Sequence, residues 1–398
     1  MISFSRSLEA LPGYPLAHLP AIKRKLMEQG VDIIDLGAGD ADYPPPVLAV
    51  KALQSAATDP ALSKYGFQQG LPAFRRAATD WMWRRFGQSF EWATEVLPLI
   101  GSKEGIAHLP FTVINPGDVA IVPEPGYQAY LGGTILSGGT PYIYPLRPRT
   151  EFLLELEEIP RETLQRAKIV FLNYPNNPTA AIATREYLER TVAVCREHDI
   201  LLAYDNAYCE LAYDGFVPPS IFEIEGARDV AVEFFSLSKS FSMTGWRLGW
   251  AAGRAEMIGA LTRLKTYVDT GPFLAIQKAG AEVLNQAESL VAPIRTELQR
   301  RRDAGMNALR AIGFEMGTPR GAMYLWVAVP QEVPSAVFAE RALHDEGVLV
   351  LPGSGFGQGG EGFFRSALTV GPDRLEEAVR RLGRVRDALG GRTVGSSA

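Results

Sequence analysis

Between residues 95 and 253, short apolar runs alternate with amphipathic stretches, the pattern of strands joined by helical crossovers in a largely parallel sheet. The predicted strands read EVLPLI, VAIVPE, KIVFLN, ILLAYD, VAVEFF and RLGWAAG. From Tyr187 to His198, Leu188, Val192 and Cys195 recur at helical spacing and mark a crossover helix. This order predicts a three-layer α/β/α core with a mostly parallel central sheet. Residues 274–312 read as helix, broken or kinked at Pro293, whose ring removes a backbone donor. A helix of that length can bridge two domains. Beyond Gly313 come YLWVAV, GVLVLP and FFRSALT, with helices near 335–346 and 372–389, a smaller α+β part. The expected division is a large domain over 46–289 and a small one combining 1–45 with 290–398. No internal repeat is visible, and only the tail GGRTVGSSA reads as frayed.

Composition narrows the function. A chain of 398 residues can bury two cores, since single cores stop growing near ~250 to 300 residues. With 46% hydrophobic and 21% charged residues it is an ordinary globular sequence. The net charge of -5 gives no general attraction to phosphate backbones or anionic lipid, which argues against nucleic acid as a partner. No apolar run approaches the ~18 residues of a membrane span, and MISFSRSLEALPGYP carries no signal-like apolar core, so a cytoplasmic protein is expected. Cys195 and Cys209 lie in or beside apolar segments and read as core thiols. His18, His108, His198 and His344 are scattered, without paired metal-ligand spacing, so metal-dependent chemistry is disfavoured.

Four clusters carry candidate chemistry. In SLSKSFSMTGWRLGW, Ser236, Lys239 and Arg247 bring hydroxyl, amine and guanidinium together after a strand. Such an amine can condense with an aldehyde, and the arginine fork can grip a phosphate, although the segment read alone fits a solvated loop lysine equally well. In YDNAYCEL, Asp205 ends a strand, where α/β sheets bind ligands, and Tyr208 follows three residues later. A carboxylate there can keep a pyridine nitrogen protonated, and it can equally be a helix N-cap. Asn177 sits in the proline-bounded turn NYPNNPTAA, which by itself marks only a turn. In LIGSKEGI, a strand gives way to Gly101, Ser102 and a helical pattern, which aims backbone N–H groups at an anion. Neither a Walker GxxxxGK[ST] spacing nor a dinucleotide GxGxxG is present.

Together these clusters resemble the fold-type I, class I/II aminotransferase family over nearly the whole chain. The spacings Asn177 to Asp205, Asp205 to Tyr208, Ser236 to Lys239 and Lys239 to Arg247 carry the resemblance. It implies pyridoxal 5′-phosphate as cofactor, with Lys239 as the Schiff-base lysine and general base. It also implies that Asp205 sits at the pyridine nitrogen, that Asn177 and Tyr208 bond the ring oxygen, and that Ser102, Lys103, Ser236 and Arg247 surround the phosphate. Tyr127 of PEPGYQAY corresponds to the family's ring-stacking aromatic, a buried core tyrosine being the plain alternative. Tyr65 corresponds to the tyrosine that reaches the neighbouring subunit's phosphate, which implies a homodimer with shared active sites. Arg365 and Gly39 correspond to the residues at the substrate α-carboxylate, an ordinary surface arginine and a turn glycine being their alternatives.

The implied reaction is ping-pong exchange of an amino group between small amino acids and 2-oxo acids. Within the family, EFFSLSKSFSMTGWRLGW, GSKEGIAHL and KTYVDTGPFLAIQ look most like the LL-diaminopimelate aminotransferase branch, on the path to lysine, with aspartate and alanine aminotransferases as near relatives. Ala41, Gln128 and Ala180 depart from the family pattern, where proline, proline and glycine are usual. Other chemistry on the same cofactor, such as β-elimination or decarboxylation, shares these residues. A non-catalytic ligand sensor would need a basic DNA-binding segment that this sequence lacks.

Overall fold

The computed structural model describes residues 3–13, 19–67 and 69–390, so His18 and the tail from Gly391 lie outside the described residues. Its strands are β1 (Ile34–Asp35), β2 (Val96–Leu99), β3 (Val119–Glu124), β4 (Thr140–Pro145), β5 (Ala167–Leu172), β6 (Leu201–Asp205), β7 (Ala231–Ser236) and β8 (Gly249–Gly253). They are followed by β9 (Tyr324–Ala328), β10 (Val348–Leu349), β11 (Leu351–Pro352) and β12 (Phe363–Ala367).

The central sheet has seven strands in the order β2-β8-β7-β6-β5-β3-β4. Strands β7, β6, β5, β3 and β4 run parallel, and β8 alone runs against its neighbours β7 and β2. Because successive side chains point to opposite faces, each strand feeds two cores. Val170, Leu172, Leu202, Tyr204, Phe235 and Trp250 pack on one face with Phe74, Trp81, Leu188 and Val192 from crossover helices. Ile169, Phe171, Ala203, Val232, Phe234 and Ala251 pack on the other with Ile106, Leu109, Tyr130 and Leu261. These two apolar faces make the three layers that the periodicity predicts.

The edge strand β4, sequence TPYIYP, escapes the sequence reading. It is half exposed and bounded by prolines, which demote an apolar run as a strand signal. The predicted strand GVLVLP also divides: β10 pairs in parallel with β1, whereas β11 pairs antiparallel with β12, so the chain changes sheets at Val350. The helical stretch is broken at Gln286 and not at Pro293. One helix spans Leu274–Asn285, and a second, Ala287–Ala311, runs on with Pro293 inside it. Pro293 is the seventh residue of that helix, past the first turn whose N–H groups lack intrahelical partners, so the helix continues with one backbone bond unmade.

That second helix belongs to two cores. Ala287 and Val291 join the large one, and Leu298 and Leu309 join a separate cluster with β9, β12, Phe338, Leu375 and Leu382. Ile34 and Leu36, from the N-terminal segment, are part of that same smaller cluster. Among the described residues, no helix is long and apolar enough to cross a membrane.

Trp250 is 1% exposed and meets Phe235 face to face at 5.0 Å and Trp81 edge-on at 5.4 Å. We expect Trp250→Ala to lower unfolding free energy by about 3–5 kcal/mol, read from a urea or guanidinium midpoint, because the layer cannot collapse into so large a void.

Candidate active site

The C-terminal ends of the parallel strands face one cavity of about 270 Å³, and eleven of the twelve predicted site residues line it. They are Gly39, Ser102, Lys103, Tyr127, Asn177, Asp205, Tyr208, Ser236, Lys239, Arg247 and Arg365. The twelfth, Tyr65, does not line the cavity and is 71% exposed. Strand order explains the convergence: Asp205 ends β6, Ser236 ends β7, Asn173 follows β5 and Gly101 follows β2. Ligands bind parallel sheets at this edge because the strand-to-helix turns open there.

Asp205 is buried, and its two oxygens have different fates. Oδ2 accepts a 2.9 Å bond from the Tyr130 hydroxyl, while Oδ1 is buried without a partner. Burial raises this carboxyl from 3.8 to about 6, against the lowering effect of the Tyr130 hydrogen bond and of the nearby Ala207 amide. Sequence reasoning missed Tyr130 and Asn173. Tyr130 stacks on Phe171 at 5.0 Å. Asn173 donates 2.7 Å to the Asp205 carbonyl and accepts 2.8 Å from the Asn177 amide. The second tyrosine of PGYQAY and the asparagine ending KIVFLN were the available signals.

Lys239 comes from the short turn of helix after β7, where the Ser236 hydroxyl accepts from the Ser238 amide at 3.1 Å. Its ammonium donates to the Gly39 carbonyl, which brings the N-terminal segment over the cavity. Nearby, Arg247 adopts a left-handed conformation, φ 55 and ψ 55, and donates to the carbonyls of Thr244 at 2.9 Å and Ile100 at 3.4 Å. Gly101 opposes it with φ +72, and a Cβ there would stand 2.3 Å from the Arg247 Nη2. Only glycine leaves room for this guanidinium beside the Ser102 turn. The Lys103 ammonium stands 5.6 Å from the Tyr127 ring centroid.

On the opposite wall, β12 carries Arg365, 4% exposed. It donates 2.7 Å to Asn177 Oδ1 and 2.8 Å to the Gly37 carbonyl, and its Nε is buried without a partner. The Tyr324 ring lies under its guanidinium at 4.2 Å. Tyr324, also missed in the sequence, meets the Tyr208 hydroxyl at 2.9 Å. Burial and then the Tyr324 hydroxyl push Tyr208 well above its usual range, so it stays a neutral donor at ordinary pH. Four cations, Lys103, Lys239, Arg247 and Arg365, face two carboxylates, Asp40 and Asp205, across the cavity. That excess suits a ligand carrying both phosphate and carboxylate. Among the three departures from the family pattern, Gln128 lines the cavity, and Ala180 holds φ 59, a left-handed conformation that glycine adopts more cheaply.

The buried Asp205 sets a pH signature. Its folded value, about 6, lies above the unfolded 3.8, so its contribution to stability is full below ~4 and is lost as pH rises through 6, about 3 kcal/mol in all. Denaturant midpoints of the chain without ligand, measured from pH 4 to 8, should fall over that window, and Asp205→Asn should remove that part of the slope.

Comparison with known proteins places this geometry. The family model described as "Aminotransferase class I and II" matches residues 31–382. An LL-diaminopimelate aminotransferase of Desulforudis audaxviator is 45% identical over 95% of this chain and 96% of its own length. One from Aquifex aeolicus is 45% identical over 96% and 99%. The substrate-bound structure of BacF from Bacillus subtilis superposes with a TM-score of 0.93 at 32% identity, covering 97% of this chain and 98% of that one. The chain therefore belongs to the class I and II aminotransferases, enzymes of amino-group transfer between amino acids and oxo acids whose family implies pyridoxal phosphate.

Proposed function

We propose that this aminotransferase moves the amino group of LL-diaminopimelate to 2-oxoglutarate in a ping-pong cycle, as a cytoplasmic homodimer. The observation that carries the choice of donor is the agreement of relatives bearing that name, 45% identical over nearly their full length. The residues fit the cofactor: a buried carboxylate oxygen of Asp205 lacks a partner, and Gly101 leaves a cradle beside Arg247 that a side chain would fill. We also keep the division at 46–289 against 1–45 with 290–398 as our reading of the domains.

Bound there, pyridoxal phosphate supplies an aldehyde carbon that takes up the amino group and a ring that withdraws electron density from the substrate Cα. The chain's own residues do the rest. Ser102, Lys103, Ser236 and Arg247 hold the phosphate, Arg247 through its fork. Asp205, with Oδ2 fixed by Tyr130, keeps a proton on the ring nitrogen through Oδ1. Once that positive nitrogen faces it, the carboxylate stays ionised despite its burial. Asn177 and Tyr208 donate to the ring oxygen, and Tyr127 stacks on the ring. Arg365, beside Gly39, takes the α-carboxylate through two parallel N–H bonds and so fixes which Cα bond faces Lys239. Lys239 would hold the cofactor through its amine, and the same amine, when free, would move the proton at the substrate Cα. Tyr65, exposed on one copy, reaches the phosphate of the other.

The test is to mix purified protein and cofactor with LL-diaminopimelate, aspartate or alanine and to follow the cofactor spectrum and stoichiometric keto acid. LL-diaminopimelate should react fastest; clearly faster reaction with aspartate or alanine would overturn the donor assignment. Lys239→Ala should cut turnover by about 10³-fold or more while the cofactor still binds. Arg365→Lys keeps the charge but loses the fork, so kcat/KM should fall by roughly thirtyfold, about 2 kcal/mol. Sedimentation of the holoprotein should give a dimer, and a monomer that is fully active would remove Tyr65 from the site.

A further inference from the structure

Behind the phosphate cup, and outside the cavity, a buried lysine gathers a part-buried charge cluster that the reaction does not use. Lys265 ends the helix Ala255–Lys265 and is 0% exposed. Its ammonium bonds Glu104 Oε2 at 2.8 Å and both oxygens of Asp269 at 2.9 and 3.2 Å, so all three of its donor directions are taken. Glu104 in turn accepts from the Ile100 amide at 3.1 Å and meets His108 Nδ1 at 2.9 Å. Burial opposes the charge on Glu104, but His108, Lys265 and the Ile100 amide together hold its carboxyl below the usual range. Glu104, His108 and Asp269 group like metal ligands; the Lys265 ammonium already bonds two of the three, so the cation of this cluster is the lysine itself.

The position of Ile100 gives the cluster its meaning. Ile100 leads directly into Gly101 and Ser102, and its carbonyl accepts from Arg247. Glu104 therefore holds the N–H side of the residue whose C=O side holds the arginine. On the far side, Asp269 accepts from the Gly271 amide at 2.6 Å, and Gln277 then links the Pro272 carbonyl to the Leu71 amide, each at 2.7 Å. The cup is thus braced against the loop 266–273 and the segment that carries Tyr65.

We propose that Lys265 is a positioning residue for phosphate recognition: through Glu104 it fixes the Ile100–Ser102 turn at the spacing that Arg247 and Ser102 need to grip the phosphate. The proposal rests on the cofactor reading given above. Without the ammonium, the Glu104 and Asp269 carboxylates are left facing each other, Oε2 of Glu104 loses the partner it shares with the Ile100 amide, and that bond loosens as the two charges move apart. Asp205, which ends β6, and Tyr208 and Asn177, which follow β6 and β5, make no contact with this cluster and are untouched.

This separates phosphate affinity from ring affinity. The full chain freed of cofactor is titrated with pyridoxal 5′-phosphate and, separately, with pyridoxal, which lacks the phosphate. Wild type should prefer the phosphorylated form. Lys265→Met, similar in length but uncharged, should weaken pyridoxal 5′-phosphate by at least roughly tenfold and leave pyridoxal within about twofold. Glu104→Gln, which keeps volume and one acceptor, should give a smaller loss of the same kind and serves if Lys265→Met does not fold. Asp269→Asn, which leaves the Lys265–Glu104 bond in place, should stay near wild type. Equal loss of both ligands, or an unchanged preference in Lys265→Met and Glu104→Gln, overturns the positioning role. A wild-type chain with no preference for the phosphorylated ligand instead overturns the cofactor reading on which it rests.

Discussion

The site depends on keeping one carboxylate ionised where water cannot reach it. Asp205 ends a fully buried strand, and burial alone drives it toward the neutral acid. One hydrogen bond, from Tyr130, holds its geometry, and the second oxygen is left for a positive ligand group. An isolated charge in such a place is expensive, and a cationic partner converts the expense into affinity. The surrounding structure serves that exchange: Phe171 supports Tyr130 by stacking, and Asn173 ties the Asp205 backbone to the turn that carries Asn177.

A division of labour follows. The strand ends of the central sheet supply one wall of the cavity, with Asp205, Ser236 and Lys239, while β12 of the smaller sheet supplies Arg365 on the other. The two walls already touch through Arg365 and Asn177 and through Tyr208 and Tyr324. A carboxylate entering between these bonded partners would have to offer Arg365 a better acceptor than an amide oxygen. A carboxylate does, because a charged acceptor roughly doubles the strength of the hydrogen bond.

The layer architecture and most of this site were legible in the sequence for one reason: buried parallel strands are short, apolar and end at the ligand, so their last residues are conspicuous. Asp205 and Ser236 follow directly from that rule, whereas Asn177, five residues past the end of β5, was reached through the family resemblance. Tyr130 and Tyr324 were not legible, since each becomes functional only through a partner brought close by the fold, Asp205 in one case and Tyr208 and Arg365 in the other. Local signals failed where tertiary context overrode them. Prolines hid β4, the chain changed sheets within GVLVLP, and Pro293 was absorbed into a helix whose real break is Gln286. Lys265 was hidden for a related reason: a lysine in an amphipathic stretch reads as solvated until three acceptors are found around it.

The pairing of β1 with β10 has a consequence for how the protein is made. Ile34 and Asp35 leave the ribosome long before their strand partners Val348 and Leu349, with the whole large sheet made in between. The large sheet, whose strands are nearly consecutive, can assemble first, while the N-terminal segment waits with its backbone unpaired and its apolar residues Ile34 and Leu36 uncovered. The segment that closes over Lys239 can therefore dock only late, and the active centre is completed only when these two distant segments have paired.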